Sequence, residues 1–179
     1  MTATHTSYFE TLSSAADPLM TALGHRQITG QAVLDAHQDV MRGPSPLSAG
    51  QREFIAAFVS RLNDCPLCSA AHRRVAELLG MSPEILDACC YDFDAAPIAA
   101  NERALLRYAK RLTLRPNTID SELATAVFAA GWSEEALHDT IHVVGLFCLI
   151  NRFVLGHGIQ ISAAAIEASA QKLAQHGYG

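Results

Sequence analysis

Charge is scarce in this 179-residue chain: 17% of its residues are Asp, Glu, Lys or Arg, and 13 Lys and Arg face 18 Asp and Glu. The formal net charge is −5 and no basic stripe runs along the sequence, which excludes the electrostatic footprint of a nucleic-acid binder. Long apolar runs are missing too. The most apolar stretch, "VVGLFCLI", has 8 residues, against the ~20 needed to span a bilayer. The first twenty residues, "MTATHTSYFETLSSAADPLM", lack a basic segment followed by an apolar one, so a secretory signal is not expected. These absences predict a soluble, cytoplasmic chain. Five cysteines, an odd number without secretory context, argue against a structural disulfide framework. A second Cys-x-x-Cys is also absent, although structural zinc sites usually draw on two such pairs.

Half of the residues are apolar, Ala is frequent and β-branched runs are rare, a composition that favours a single all-α domain with a sizeable core. The spacing predicts helices over about 6–22, 29–41, 49–63, 65–79, 82–90, 100–114, 120–130, 134–155 and 160–175, and no strand. Ser48 and Gln51 form a capping-box pattern before the third of these. That helix carries Phe54, Ile55, Phe58, Val59 and Leu62 on one side and Glu53, Ala56, Ala57 and Ser60 on the other. The second face is small rather than charged and suits close approach of another helix, with Glu53 the lone acid in the seam. Asp64 is expected to cap the next helix, with Pro66 in its first turn. The helix over 134–155 is apolar nearly all round and is expected at the centre of the domain or of an oligomer contact. A weak internal repeat relates residues 47–91 to 98–142 at an offset of 51. The second unit has no counterpart of Glu53, Cys65, Cys68 or His72.

Those four residues hold the candidate chemistry. In "CPLCSAAH", Cys65 and Cys68 meet at the first turn of a helix, and His72 lies one turn beyond Cys68. Unpaired N–H groups and the dipole at a helix start favour a thiolate, and a Cys-x-x-Cys there commonly has one lowered thiol pKa. His72 can take the Cys68 proton, and Glu53 is placed to orient His72 if the fold brings them together. The pattern reads first as a redox pair: one thiolate is oxidised by a peroxide to a sulfenic acid, and the other closes a disulfide. The spacing leaves open which thiol faces the reductant. A rival reading has Cys65, Cys68, His72 and Glu53 holding zinc in a non-catalytic or oxidant-sensing protein. A third has the cysteines inert in a core.

Other residues carry weaker signals. Cys89–Cys90 and Cys148 are expected in the core. His138 and His142 have metal-ligand spacing, but His142 is expected packed and His138 exposed. Arg152 is expected at a subunit contact. His25, His37 and His157 are expected at the surface or in loops.

Glu53, "CPLC" at 65–68 and His72 together resemble the Glu…Cys-x-x-Cys-x-x-x-His signature of the carboxymuconolactone decarboxylase / alkylhydroperoxidase AhpD-like family. The surrounding "LSAGQREFIAAFVSRLNDCPLCSAAH" is similar to its peroxidase-related subset, as is "NRFVLGHGI" at 151–159. The resemblance covers roughly residues 17–160. It implies an AhpD-like helical fold of two related units, assembled as trimers or hexamers. It also implies a thiol-dependent alkylhydroperoxidase or disulfide oxidoreductase without haem, flavin or metal. The dithiol would be recharged by an external dithiol such as a lipoyl group on a partner protein, sometimes in the service of a peroxiredoxin. By motif position, Cys68 would react with peroxide, Cys65 would be its partner, and His72 and Glu53 would relay protons. Leu67 departs from the pattern, since AhpD has a second histidine there. The decarboxylase branch lacks the dithiol, so lactone decarboxylation is a poor reading of this chain.

Overall fold

The computed structural model describes residues 5–178. Helices dominate. In chain order they are α1 (Glu10–Ser13), α2 (Pro18–Gly24), α3 (Gln27–Arg42), α4 (Ala49–Leu62), α5 (Pro66–Leu78), α6 (Pro83–Tyr91), α7 (Ala100–Leu114), α8 (Ser121–Ala129), α9 (Glu134–His157) and α10 (Ala163–His176). A 3₁₀ turn, Pro116–Thr118, joins α7 to α8.

Three departures from the sequence expectation have local causes. The single helix expected over 6–22 is split, because Asp17 caps a new helix whose first residue is Pro18. A proline at that position starts a helix more readily than it continues one. Two short strands, β1 (His5–Thr6) and β2 (Gln160–Ile161), pair antiparallel and tie the start of the chain to the segment after α9. Two-residue strands carry too little periodicity to be read from sequence. Finally, α9 runs on to His157 and stops where Gly158 takes a left-handed conformation at φ 62°.

The core forms around α4. Its whole circumference from Arg52 to Ser60 is buried, the stripe of large residues and the small face alike. α5 packs along it, and α3, α6, α7 and α9 close its other sides. Phe58, Val59, Val143, Val144 and Phe147 are wholly or almost wholly buried between these helices. By length and average hydropathy alone α9 could cross a bilayer. Here it packs against α3, α4, α7 and α8 and buries one face, Thr140 and Asn151 included. A second, smaller apolar cluster joins Leu12 and Ala22 of the first two helices to Ile150, Val154 and Ile159, and both Cys65 and Cys68 belong to it.

At the offset of 51, Gly80 and Gly131 each follow a helix with φ near 90° (91° and 94°). Ser82 and Ser133, also 51 apart, each cap the next helix.

The capping box at α4 is complete. Ser48 Oγ accepts from the Gln51 N–H at 3.1 Å, and Gln51 Oε1 accepts from the Ser48 N–H at 2.9 Å. Ser48→Ala should lower stability by about 1 kcal/mol. Urea unfolding should show a lower midpoint at unchanged slope, and Ser48→Asp should restore it. An unmoved midpoint in the alanine variant would show that the cap contributes nothing.

Candidate functional site

The turn between α4 and α5 positions the dithiol. Asp64 does not cap α5 as expected: it adopts φ 52°, the left-handed region, and passes the capping position to Cys65. Aspartate tolerates that conformation better than most residues, because its short side chain bonds locally. Cys65 is thus the N-cap, Pro66 the first helical residue and Cys68 the third, the place whose N–H an N-cap side chain faces. The Cys65 N–H donates to the Ser60 carbonyl at 2.9 Å and holds the turn.

Both cysteines are free thiols, with Cys65 1% and Cys68 2% exposed. They behave as one acid. The Cys68 S–H hydrogen-bonds the Cys65 sulfur and, against the opposing effect of burial, brings Cys65 down to about 7; the Cys68 backbone N–H and the Asn151 amide add to this. Cys68 moves the other way, pushed up by its hydrogen bond to Cys65, by burial and by the Cys65 charge. The first negative charge therefore settles on Cys65, at the end of α5 where the helix dipole favours it.

Asn151 was not singled out by the sequence beyond its place in an apolar helix. It is fully buried. Its Nδ2 donates to Ser60 Oγ at 3.0 Å, and its Oδ1 accepts from Asn63 Nδ2 at 3.0 Å. Asn63 also reaches Cys148 Sγ at 3.6 Å, so Cys148 lies half-buried beside this polar strand of contacts rather than wholly in the core. A lone amide inside "LFCLINRFVL" was the available signal, since buried polar groups are kept where they have partners.

One turn along α5 from Cys68, His72 meets Glu53 of α4. His72 Nδ1–H donates to Glu53 Oε2 at 2.7 Å. Glu53 has no exposed surface. Burial, the largest influence, pushes its carboxyl up, but the His72 charge and hydrogen bond, Arg42 and Tyr178 together outweigh it and hold the group below its ordinary value. Arg42 Nη2 lies 2.7 Å from Glu53 Oε1, and the Tyr178 hydroxyl donates to the same oxygen at 2.8 Å. A buried carboxylate costs several kcal/mol unless its lone pairs are filled, and here three groups fill them. The pairing fixes which His72 nitrogen faces Glu53 and turns Nε2 away from it. The imidazole is wedged edge-on against Phe147, 4.5 Å between ring centres.

His37 corrects the surface expectation. It is buried, its ring lies 6.1 Å from that of His72, and burial, then the neighbouring His72 charge, lower its pKa to about 3, so it stays neutral. His142 departs in the opposite sense, standing exposed on the outer face of α9 with His138. Arg152 is exposed and bonds the Cys148 carbonyl of its own helix at 2.7 Å. Cys89 is buried and Cys90 half-buried, with burial raising both thiols, Cys90 to about 11. Among the described residues no three His, Cys, Asp or Glu side chains gather as a metal ion would require.

With Cys65 lowered to about 7, its thiolate should form at a pH where an ordinary thiol stays protonated. Iodoacetamide alkylation followed by peptide mass spectrometry should modify Cys65 first, at a rate that rises with pH to a midpoint near 7. Cys68→Ala removes the donor and should move that midpoint toward 9. A midpoint near 9 in the unsubstituted protein, or Cys68 modified first, would overturn the shared-proton description.

These features can be set beside known proteins. A model of the carboxymuconolactone decarboxylase family matches residues 29–111. Over 114 residues the chain is 31% identical to the uncharacterized protein YnjA of Escherichia coli (strain K12), a match covering 63% of this chain and 61% of that one. The chain therefore spans about three fifths of that relative's length. An uncharacterized peroxidase-related protein from Silicibacter sp. TM1040 has a similar structure, with a TM-score of 0.75 and 25% identity over 82% of this chain and 77% of the other. An alkylhydroperoxidase AhpD core protein from Ralstonia eutropha JMP134, also peroxidase-related and uncharacterized, gives a TM-score of 0.75 at 23% identity over 83% and 78%, a likeness of fold. The chain thus has an all-helical AhpD-like fold, and its residues 29–111 are similar to the carboxymuconolactone decarboxylase family.

Proposed function

We propose that this chain is a thiol-dependent hydroperoxidase in which Cys65 and Cys68 cycle between dithiol and disulfide. The observation that carries the reading is the pair of buried free thiols at the start of α5, on the same helix as a His72 anchored by Glu53. Cys68 is the sulfur that accepts oxygen, because His72 one turn away can take its proton and return it to the departing alkoxide. The sulfur attacks the outer peroxide oxygen, the O–O bond breaks, and Cys68 sulfenic acid and an alcohol form. The Cys65 thiolate then attacks the Cys68 sulfur, expelling hydroxide, which leaves as water with a second proton, taken from solvent in place of the one Cys65 had released. In sum, the dithiol and ROOH give the disulfide, ROH and water. An external dithiol restores the pair by exchange and becomes the disulfide.

Leu12, Ala22, Ile150, Val154 and Ile159 make the thiols' surroundings apolar, which suits a hydroperoxide with an alkyl chain better than hydrogen peroxide. We further infer a lipoyl-type dithiol as reductant and a homo-oligomeric state, with Leu149 and Leu155 on the outward face of α9 left for subunit contact.

One equivalent of cumene hydroperoxide should remove two free thiols, and turnover with dihydrolipoamide should be faster for cumene hydroperoxide than for hydrogen peroxide. Cys68→Ser should abolish thiol loss at this pair, while Cys65→Ser should leave a trappable sulfenic acid on Cys68. Glu53→Gln should lower kcat/KM about 100-fold, the range of a disabled general acid–base. Sulfenic acid trapped on Cys65 in Cys68→Ser would exchange the two roles. Unaltered thiols after peroxide, with loss of structure on chelation, would replace this reading by a zinc-binding one.

A further inference from the structure

We propose that Tyr178, delivered by the segment that follows α10, is a positioning residue of the Glu53–His72 relay. The proposal rests on the peroxidase reading above for its chemistry, but its geometry stands by itself. α10 lies along α5 and is fixed there by Arg74, whose Nε and Nη2 donate to the two Glu167 carboxylate oxygens at 2.8 and 3.0 Å. Arg42 Nη2 also donates to the Leu173 carbonyl at 3.1 Å, so the arginine that pairs Glu53 holds α10 as well.

The chain then turns inward at Gly177, with φ 73° and ψ −150°. A side chain is strained in that conformation, and a Cβ there would stand 2.9 Å from Gln38 Oε1 and 3.1 Å from Arg42 Cγ. Beyond this turn the Tyr178 N–H donates to Gln38 Oε1 at 2.6 Å. The phenol ring lies flat on His37, 4.1 Å between centres and 16° between planes, with the Arg42 guanidinium 5.0 Å over its centroid.

The hydroxyl reaches its end point between the two relay groups, 2.8 Å from Glu53 Oε1 and 3.2 Å from His72 Nδ1. Burial, then the neighbouring Glu53 charge, raise the phenol pKa, so Tyr178 remains a donor. Its proton and that of Arg42 occupy Oε1, which leaves Oε2 to His72 and fixes the carboxylate plane. The charged and titratable groups around it are His37 and Arg42 of α3, Glu53 of α4, and Cys68 and His72 of α5. A sequence search centred on the dithiol does not reach Tyr178, 106 residues from His72.

The test compares wild type, Tyr178→Phe, Tyr178→Ala and Gly177→Val. Titration of the Glu53 carboxyl by ¹³C NMR is followed beside the pH profile of kcat/KM and the melting temperature. Tyr178→Phe keeps the ring stack and should melt with wild type. Its Glu53 should titrate at higher pH, the acid limb of kcat/KM should move the same way, and kcat/KM should fall about tenfold, as for loss of a hydrogen bond to a charged group. Gly177→Val displaces the tyrosine without altering it and should reproduce the shift. Unmoved Glu53 titration and acid limb in Tyr178→Phe, with Tyr178→Ala impaired, would reduce the residue to packing and overturn the proposal. Faster turnover in the variants would overturn it in favour of a plug. A wild-type protein inert to peroxide would end the peroxidase reading, while the NMR titration would still decide whether Tyr178 holds Glu53.

Discussion

A carboxylate without exposed surface, Glu53, stands in the seam between α4 and α5, and the arrangement of the site follows from keeping it there ionised. An uncompensated buried charge would protonate or pull its helix toward water. Here Arg42 comes from α3, His72 from α5 and Tyr178 from beyond α10, so three separate parts of the chain converge on one side chain. Each has a reason to be held still, since moving any of them takes a hydrogen bond from the buried Glu53 carboxylate. The rigidity this confers on the His72 ring is what a proton relay needs. The cost of burying the acid is thereby turned into orientation of the base.

The dithiol obeys a different constraint. Cys65 and Cys68 sit in an apolar cluster, where burial raises a thiol pKa, yet Cys65 is held below its ordinary value by its neighbours. The pair achieves this by making each other's environment unequal: one proton between two sulfurs stabilises the charge on the first and suppresses it on the second. The turn at Asp64 matters because it makes Cys65 the N-cap of α5. Had Asp64 capped the helix, its carboxylate would occupy that position and a thiolate beside it would be disfavoured.

Much of this was legible in the sequence. The helix starts at Ser48, Ser82 and Ser133, the buried small face of α4 and the shared face of Cys68 and His72 follow from spacing and cap chemistry, whereas the meeting of Glu53 with His72 needed tertiary contact. The residues that escaped notice share one property: each acts on a residue far away in the chain. Arg42 looks like an ordinary end-of-helix cation, His37 like one more surface histidine, and Asn151 like the polar end of an apolar helix, until tertiary contact gives each a partner. Tyr178 lies in a stretch with no periodicity at all. Local pattern specifies elements and neighbours within a turn or two. It carries no information on which buried acid a distant hydroxyl will meet.

Leu67 shows how these two levels interlock. At the second position of α5 its side chain packs into the apolar cluster around the thiols, with Leu12 and Ile150. A histidine there would bring a polar ring to the side of the dithiol that the fold keeps dry. The chain instead gathers its ionisable groups beyond Cys68, where His72, Glu53, His37, Arg42 and Tyr178 form one connected set, while the neutral Asn151 sits nearer the thiols with Ser60 and Asn63. Buried charge is thus confined to the α3–α4–α5 seam, set apart from the apolar cluster that flanks the thiols. Leu67 beside Cys68 and the tyrosine on Glu53 thus belong to opposite flanks of the same pair, one apolar and one a buried hydrogen-bonded set.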